Sequence, residues 1–166
     1  PHWGTEYVLK QTVEQEEWAR FMVENGADLI LGTHPHVIEP VEWVWSEITE
    51  GGMTSGNEGL VYYSLGNFVN WTSGTGAGVA NRMVGAMAKV TIGRNADGEV
   101  VITDYGVEPL VCHVEKVFGG VTVYSLDEYT EELAGKNEIR EQDANFSLQY
   151  CEELVKKVFG DLWNKG

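Results

Sequence analysis

The sequence has few cysteines and no long apolar run, and each shortage excludes a class of protein. Its 166 residues include two cysteines, Cys112 and Cys151, and no Cys-x-x-Cys motif. A cysteine zinc site and a disulfide-dense scaffold are therefore excluded, whereas pairing between these two residues stays open. No apolar stretch approaches the roughly 20 residues of a membrane-spanning helix, and no signal peptide is recognisable.

Basic residues are also scarce. The chain has 11 Lys and Arg residues against 26 Asp and Glu residues, which gives a net charge of −15. Such a surface repels phosphate backbones and anionic lipids, so we expect neither nucleic acid nor an anionic membrane as a partner. Because 43% of the residues are hydrophobic and 22% are charged, the chain is expected to fold around a core.

Several catalytic motifs are missing as well. The sequence contains no Gly-x-Ser-x-Gly motif, no Walker-type glycine loop and no cysteine nucleophile paired with a histidine. The residues that are present fit better with a hydrolytic metal centre in which water is the nucleophile.

The first predicted elements are a helix and a strand. Residues 11–28 predict an amphipathic helix, with Thr12 and Gln15 forming a capping box. Its predicted apolar face consists of Trp18, Ala19, Phe21 and Met22. The short apolar stretch 27–31 predicts a buried strand, and a helix followed by such a strand is typical of an α/β protein.

The middle of the chain predicts further strands separated by glycine-rich loops. Residues 59–69 predict a strand, whereas 46–59 and 70–82 predict loops because they lack apolar periodicity. Residues 89–93 and 99–105 predict an antiparallel pair, joined by a turn that contains Asp97-Gly98.

After Gly120 the pattern becomes helical. Ser125 and Glu128 form a second capping-box pattern. An apolar stripe at helical spacing then runs from about 145 to 163. We therefore predict an α/β (α+β) class with a helical C-terminal segment.

The stretch Gly-Thr-His-Pro-His places two of the four histidines, His34 and His36, behind the strand 27–31. Extended residues two apart point to the same side, so both imidazoles could face one space. Pro35 is expected to bias the preceding residues toward extended geometry. From this motif alone, a metal site and a polar loop are equally good interpretations.

Other polar residues allow two interpretations each. His2 fits a turn residue beside a packed Trp better than a ligand, and His113 fits a surface or hydrogen-bonded histidine. Glu39 and Glu42 follow the histidine pair at a spacing suited to supporting it, but carboxylates are common in this chain. Asn67 ends a strand as His34 does, although a turn role is the more common reason for an asparagine there.

Three strings together resemble one known family. His-Trp-Gly-Thr-Glu-Tyr at 2–7, the stretch 26–43 around Gly-Thr-His-Pro-His, and Tyr-Tyr-Ser-Leu-Gly-Asn-Phe at 62–68 are similar to the bacterial capsule-synthesis CapA family of poly-γ-glutamate biosynthesis. The resemblance covers roughly 1–115. It implies the C-terminal part of a metallophosphatase-like (calcineurin-like phosphoesterase) β-sandwich flanked by helices.

The resemblance also implies site residues. His2 is similar to the superfamily's lone histidine ligand, and His34 and His36 match its Gly-x-His-x-His pair, so these three are expected to bind metal. Glu6 and Asn67 lie in family motifs and are the catalytic candidates, without assigned roles. The implied cofactors are divalent metal ions, two in the full-length protein, with Mn, Zn or Fe as the candidates.

The resemblance implies that part of the domain lies upstream. The superfamily's Asp-x-His, Gly-Asp and Asn-His motifs would precede Pro1, and the chain begins without Met, so we interpret it as a fragment. Residues 1–120 are predicted to be the C-terminal part of the domain and 121–166 a helical extension. The fragment is expected to bind metal weakly and to be inactive without the missing N-terminal half.

Three functions remain open at this point. The chain could belong to a metal-dependent hydrolase that acts on a phosphoester or on a polymer of the cell envelope. Alternatively, it could belong to a non-catalytic envelope factor that binds or helps export an anionic polymer. In a third reading, His34 and His36 only form hydrogen bonds. By family resemblance, the expected location is the cell envelope or the extracellular face of a bacterium.

Overall fold

The computed structural model describes residues 1–50, 53–71, 74–115 and 120–163. The chain divides into two compact units, Pro1–Gly66 and Asn67–Gly166. Both contain helices or helical turns together with a three-stranded sheet, in agreement with the predicted α/β class. The metallophosphatase-like sandwich and the boundary at residue 120 stay predictions.

The first unit consists of one helix and a mixed sheet. Its elements are α1 (Val13–Glu24), β1 (Leu29–Leu31), β2 (Val41–Glu50) and β3 (Met53–Tyr62). The strand order is β1-β3-β2, with β1 parallel and β2 antiparallel to β3. The strands and α1 enclose a core of Trp3, Ala19, Val23, Ile30, Val61 and Tyr63. Trp3 and Ile30 of this core lie in the two segments that contain His2 and His34.

Helix α1 begins as predicted but buries a different face. The Thr12 side chain accepts from the Gln15 backbone N–H at 3.2 Å, and Gln15 Oε1 accepts from the Thr12 N–H at 2.8 Å, which completes the capping box. Ala19 is buried as predicted, but Trp18 and Phe21 are 49% and 54% exposed. The buried face instead includes Gln15 and Val23, because a polar partner for Gln15 lies inside the unit.

The loop predicted at 46–59 is wrong. Apart from residues 51–52, which lie outside the described residues, this stretch belongs to the β2–β3 hairpin, with partners such as Ser46 and Asn57. Its glycines permit close packing, because a side chain there would collide with a neighbour: a Cβ on Gly56 would lie 1.9 Å from Trp45 Cζ2. The predicted strand 59–69 ends earlier, at Tyr62.

The second unit contains an antiparallel sheet followed by helices. Its strands β4 (Val84–Arg94), β5 (Val100–Glu115) and β6 (Gly120–Ser125) pair in sequence order. The predicted β4–β5 pair is confirmed and is longer than predicted. In its turn, Asn95 Oδ1 accepts from the N–H groups of Asp97 and Glu99, both at 3.0 Å. Of the predicted loop 70–82, residues 72–73 lie outside the described residues, and a 3-10 helix begins at Val79.

The helices of this unit are α2 (Glu131–Lys136) and α3 (Leu148–Phe159), accompanied by short 3-10 turns. The helix predicted after Ser125 begins only as a 3-10 turn, Leu126–Glu128, in which the Ser125 side chain forms no capping bond. The α-helix starts later, and Thr130 caps it. The apolar stripe of α3 is confirmed: Cys151, Leu154, Val155 and Phe159 are buried.

Candidate metal centre

Backbone pairing brings the N-terminal segment beside the histidine turn. His2 and Thr33 form a parallel bridge. The Trp3 N–H donates to the Thr33 carbonyl at 3.1 Å, and the Thr33 N–H donates to the Pro1 carbonyl at 2.9 Å. As a result, the ring centroids of His2 and His34 are 4.3 Å apart. Two motifs separated by about 30 residues therefore meet at one place.

The histidine turn is not extended, in contrast to the prediction. His34 has φ 106° and His36 has φ 59°, and Tyr7 on the facing segment has φ 69°. The Tyr7 N–H donates to the Pro35 carbonyl at 2.8 Å. This bond ties the two segments together and helps hold the unusual backbone. Each left-handed non-glycine residue costs on the order of 1–3 kcal/mol, and such residues cluster at functional sites.

A carboxylate joins the two histidines. One ligand atom from each of Glu6, His34 and His36 lies within 4.8 Å of the others. His36 Nε2 and Glu6 Oε1 are 3.9 Å apart, and the rings of His34 and His36 are separated by 6.1 Å between centroids. Glu6 was a catalytic candidate from the sequence, and the structure places it among the expected ligands. His2 lies beside this group, against His34.

The geometry and chemistry of this group fit a divalent transition metal. The 3.9 Å separation of Glu6 and His36 is too long for a hydrogen bond. Two donors on one cation, each bound at about 2.0–2.2 Å, lie roughly 3.0–4.4 Å apart. Two imidazoles and one carboxylate suit Zn, Mn or Fe. The side chains of His36 and Glu6 are 36% and 46% exposed, so solvent reaches the group.

Trp3 holds the N-terminal segment in place. Its Nε1 donates to the Tyr63 carbonyl at 2.8 Å, and the residue is 9% exposed. The Trp3 indole packs against Gly32. A Cβ added to Gly32 would lie 2.1 Å from the Tyr63 carbonyl oxygen and 2.4 Å from Trp3 Nε1. Gly32 therefore permits the close packing that brings His2 to His34.

Glu39 is a buried carboxylate behind this region. It has no solvent exposure, its Oε2 accepts from Gln15 Nε2 at 2.7 Å, and its Oε1 lacks a hydrogen-bond partner among the described residues. Burial raises the pKa of Glu39 from 4.5 to about 7, although the Gln15 bond opposes this shift. Gln15 also contacts the motif that carries Glu6, since a Cβ on Gly4 would lie 2.7 Å from its amide.

We expect Glu39→Gln to become progressively more favourable as the pH rises. The folded chain binds the Glu39 proton more tightly than the unfolded chain does, so this group's contribution to stability is full below about pH 4.5 and is lost on approaching pH 7. The free energy of unfolding of Glu39→Gln relative to wild type should therefore rise by about 3 kcal/mol between pH 4.5 and pH 8. Urea unfolding at both pH values measures this change.

The matched control is Glu42→Gln, because Glu42 is exposed and hydrogen-bonded to Gln11 at 3.3 Å. Its free energy of unfolding relative to wild type should vary by less than about 0.5 kcal/mol over the same range. A pH-independent difference for Glu39→Gln would contradict the buried carboxylate's effect on stability.

The remaining candidates lie in the second unit. The Asn67 side chain donates to the Arg82 carbonyl at 3.1 Å, and its proposed catalytic role stays a prediction. His113 is 3% exposed, and its Nδ1 lies 3.0 Å from Tyr129 Oη, so it is a buried, hydrogen-bonded histidine instead of a surface one. Cys112 and Cys151 are free and buried, and burial raises their thiol pKa values to about 11 and about 12.

Sequence reasoning missed the left-handed turn and the Gln15–Glu39 pair. His34 and His36 both have positive φ. Glycine is the residue that usually marks such a backbone in a sequence, and neither position is a glycine. The spacing of Glu39 suggested a supporting residue, but the sequence did not indicate that this side chain is completely buried. Its partner, Gln15, lies 24 positions away in the chain. Only the tertiary structure could show that contact.

These features define an α/β protein in which two histidines on a left-handed turn lie close to a carboxylate. Residues 1–72 match the family described as "Bacterial capsule synthesis protein PGA_cap". The recognition of the capsule-synthesis family is thereby confirmed, over the part of the chain that holds all four residues of the candidate centre.

Two curated relatives agree with this family. The capsule biosynthesis protein CapA of Bacillus anthracis is 40% identical over 74 residues, which cover 43% of this chain and 15% of that protein. The PGA biosynthesis protein CapA of Bacillus subtilis (strain 168) is 42% identical over 74 residues, which cover 43% of this chain and 16% of that protein. The chain thus spans a small part of the length of these relatives. No solved structure matches it.

Across the described residues, no helix has both the length and the apolar character needed to cross a membrane.

Proposed function

We propose that this chain is part of a capsule-synthesis protein in which Glu6, His34 and His36 bind a divalent metal ion. The observation that carries this proposal is the convergence of their ligand atoms within 4.8 Å. Two of the three residues sit on a strained turn, which a merely structural loop would not need. His2, whose ring lies against His34, is the fourth proposed ligand.

The reaction proposed for the full-length protein is metal-dependent hydrolysis of a phosphoester or of a bond in an envelope polymer. A bound divalent ion would lower the pKa of a coordinated water and polarise the bond that is attacked. The exposure of Glu6 and His36 leaves room for a substrate. The proposed fold is metallophosphatase-like, the proposed metal content is two ions, and the proposed location is the bacterial envelope.

A non-catalytic role is the second candidate. The names of the two relatives describe capsule and PGA biosynthesis and mention no hydrolysis. With a net charge of −15, the chain would repel an anionic polymer unless metal ions bridged the two. The same centre could then serve as a metal-mediated binding site for such a polymer.

The deciding experiment compares metal content, hydrolysis of bis(p-nitrophenyl) phosphate and retention of poly-γ-glutamate in the full-length protein. His34→Ala is the test variant, and Glu24→Gln, an exposed carboxylate on α1, is the control. If the protein is a hydrolase, the metal content and the turnover of bis(p-nitrophenyl) phosphate should both fall in His34→Ala. A binding factor predicts no turnover and a metal-dependent loss of polymer retention. Unchanged metal content in His34→Ala would contradict both candidates.

A further inference from the structure

A second surface of the first unit lies on β2 and β3 and does not involve the metal centre. Alternate strand residues share a face, so Trp43, Trp45 and Glu47 point to one side of β2. The pairing of Trp45 with Glu58 and of Glu47 with Gly56 adds those residues to the same face. We call this set the tryptophan surface: Trp43, Trp45, Glu47, Gly56 and Glu58. The opposite face carries Val44, which packs against the core.

Trp45 lies flat on the tryptophan surface. A Cβ on Gly56 would be 1.9 Å from Trp45 Cζ2 and 2.5 Å from Cε2 and Cη2, so the six-membered ring covers the glycine backbone. The residue is nevertheless 60% exposed, and neighbouring Trp43 is 38% exposed. One face of the Trp45 indole is thus supported by the sheet while the other is open to solvent.

The two charged residues of the tryptophan surface, Glu47 and Glu58, are both acidic. No Lys or Arg occurs between Arg20 and Arg82. Glu47 and Glu58 are exposed and flank Trp45, one two residues along the strand and one directly opposite. A cation over a Trp face is attracted by about 0.5–1 kcal/mol at exposed sites, and adjacent carboxylates add Coulombic attraction.

The position of β2 favours a peptide over a small amine. In the sheet order β1-β3-β2, β2 lies at one edge of the described sheet and pairs with β3. An extended segment can pair with an outer strand, and its alternate side chains then reach the same face of the sheet. Basic side chains at every second position would meet Trp45, Glu47 and Glu58.

We propose that the tryptophan surface binds a lysine- or arginine-bearing extended segment of a protein partner. This goes beyond the proposed metal function, because it uses none of Glu6, His34 and His36. Recognition combines the open indole of Trp45 with the carboxylates of Glu47 and Glu58. Anionic polymers and anionic lipids are disfavoured at this surface by the same charge.

The test is calorimetric titration of the 166-residue chain with a hexapeptide of alternating lysine and alanine, blocked at both ends. The comparison peptide has the same sequence with acetylated lysines. Trp45→Leu keeps an apolar cover over Gly56 but removes the aromatic face. Glu47→Gln/Glu58→Gln removes the two charges without altering the ring. Trp18→Leu, on exposed Trp18 of α1, and Glu14→Gln/Glu17→Gln are the matched controls.

We expect the lysine peptide to bind and the acetylated peptide not to bind. Trp45→Leu should weaken the affinity by about two- to fivefold, the Glu47/Glu58 variant should weaken it by a similar factor, and both controls should leave it unchanged. Equal weakening in the control variants would show general attraction to an acidic chain and overturn the proposal. Equal binding of the acetylated peptide, or Trp45-dependent binding of a neutral oligosaccharide without peptide binding, would overturn it too.

Discussion

Gly32→Ala is expected to lower the free energy of unfolding of the first unit by at least about 3 kcal/mol. An added Cβ would lie 2.1 Å from the Tyr63 carbonyl oxygen, a backbone atom that cannot rotate away. It would also displace Trp3, whose Nε1 bond to the same oxygen measures 2.8 Å. The Gly32 N–H itself donates to the Tyr62 carbonyl at 2.7 Å, so the strand cannot simply move outward. Urea unfolding followed by tryptophan fluorescence measures this loss.

Gly135→Ala is the control for this prediction. Gly135 lies in α2, and an added Cβ would meet nothing within 4 Å. Because alanine is a better helix former than glycine, the free energy of unfolding should rise by about 0.5–1 kcal/mol. If Gly32→Ala were as stable as wild type, the close packing of Trp3 over Gly32 would be disproved.

Replacing both His34 and His36 with alanine is expected to reduce the affinity of the chain for Zn²⁺ or Mn²⁺ by at least about 100-fold. Two of the three clustered ligand atoms are lost, and Glu6 and the neighbouring His2 that remain are too few protein ligands to hold a transition metal tightly. Titration calorimetry of the 166-residue chain measures the affinity, and circular dichroism confirms that the variant is folded.

Two further variants refine the metal prediction. Glu24→Gln changes the net charge by one unit away from the site and should leave the affinity within about twofold of wild type. His2→Ala tests the fourth proposed ligand, and a tenfold loss would assign His2 to the metal. An unchanged affinity in the His34/His36 variant would contradict the proposed ligands.

Local signals in the sequence predicted the elements that depend on local interactions. The Thr12–Gln15 capping box, the Asp97-Gly98 hairpin and the apolar stripe of α3 all appear in the structure. Each of these features depends on interactions between residues that are close together in the chain, so the sequence pattern alone can predict it. The hairpin in 46–59 was missed because its glycines make room for neighbouring side chains: Gly56 for Trp45 of the paired strand and Gly59 for Val23 of α1.

The candidate site was predictable in its members but not in its geometry. The family resemblance implied His2, His34 and His36 as metal ligands and Glu6 as a catalytic candidate, and the structure brings all four to one region. The left-handed backbone of the histidine turn depends on the pairing of residues 1–7 with the turn, a contact that no local pattern records. The exposed Trp18 and Phe21 were placed in the core for a similar reason, since helical periodicity does not show which partners are present.

The most direct test of the metal centre is X-ray absorption spectroscopy of the zinc-loaded chain. The ligand set of Glu6, His34 and His36 predicts imidazole scattering from at least two histidines, together with oxygen donors at about 2.0–2.1 Å. In the His34→Ala/His36→Ala variant this signal should fall to at most the single imidazole of His2. An oxygen-only or sulfur-containing spectrum of the wild-type chain, or scattering from two or more imidazoles in the variant, would contradict the proposed metal centre.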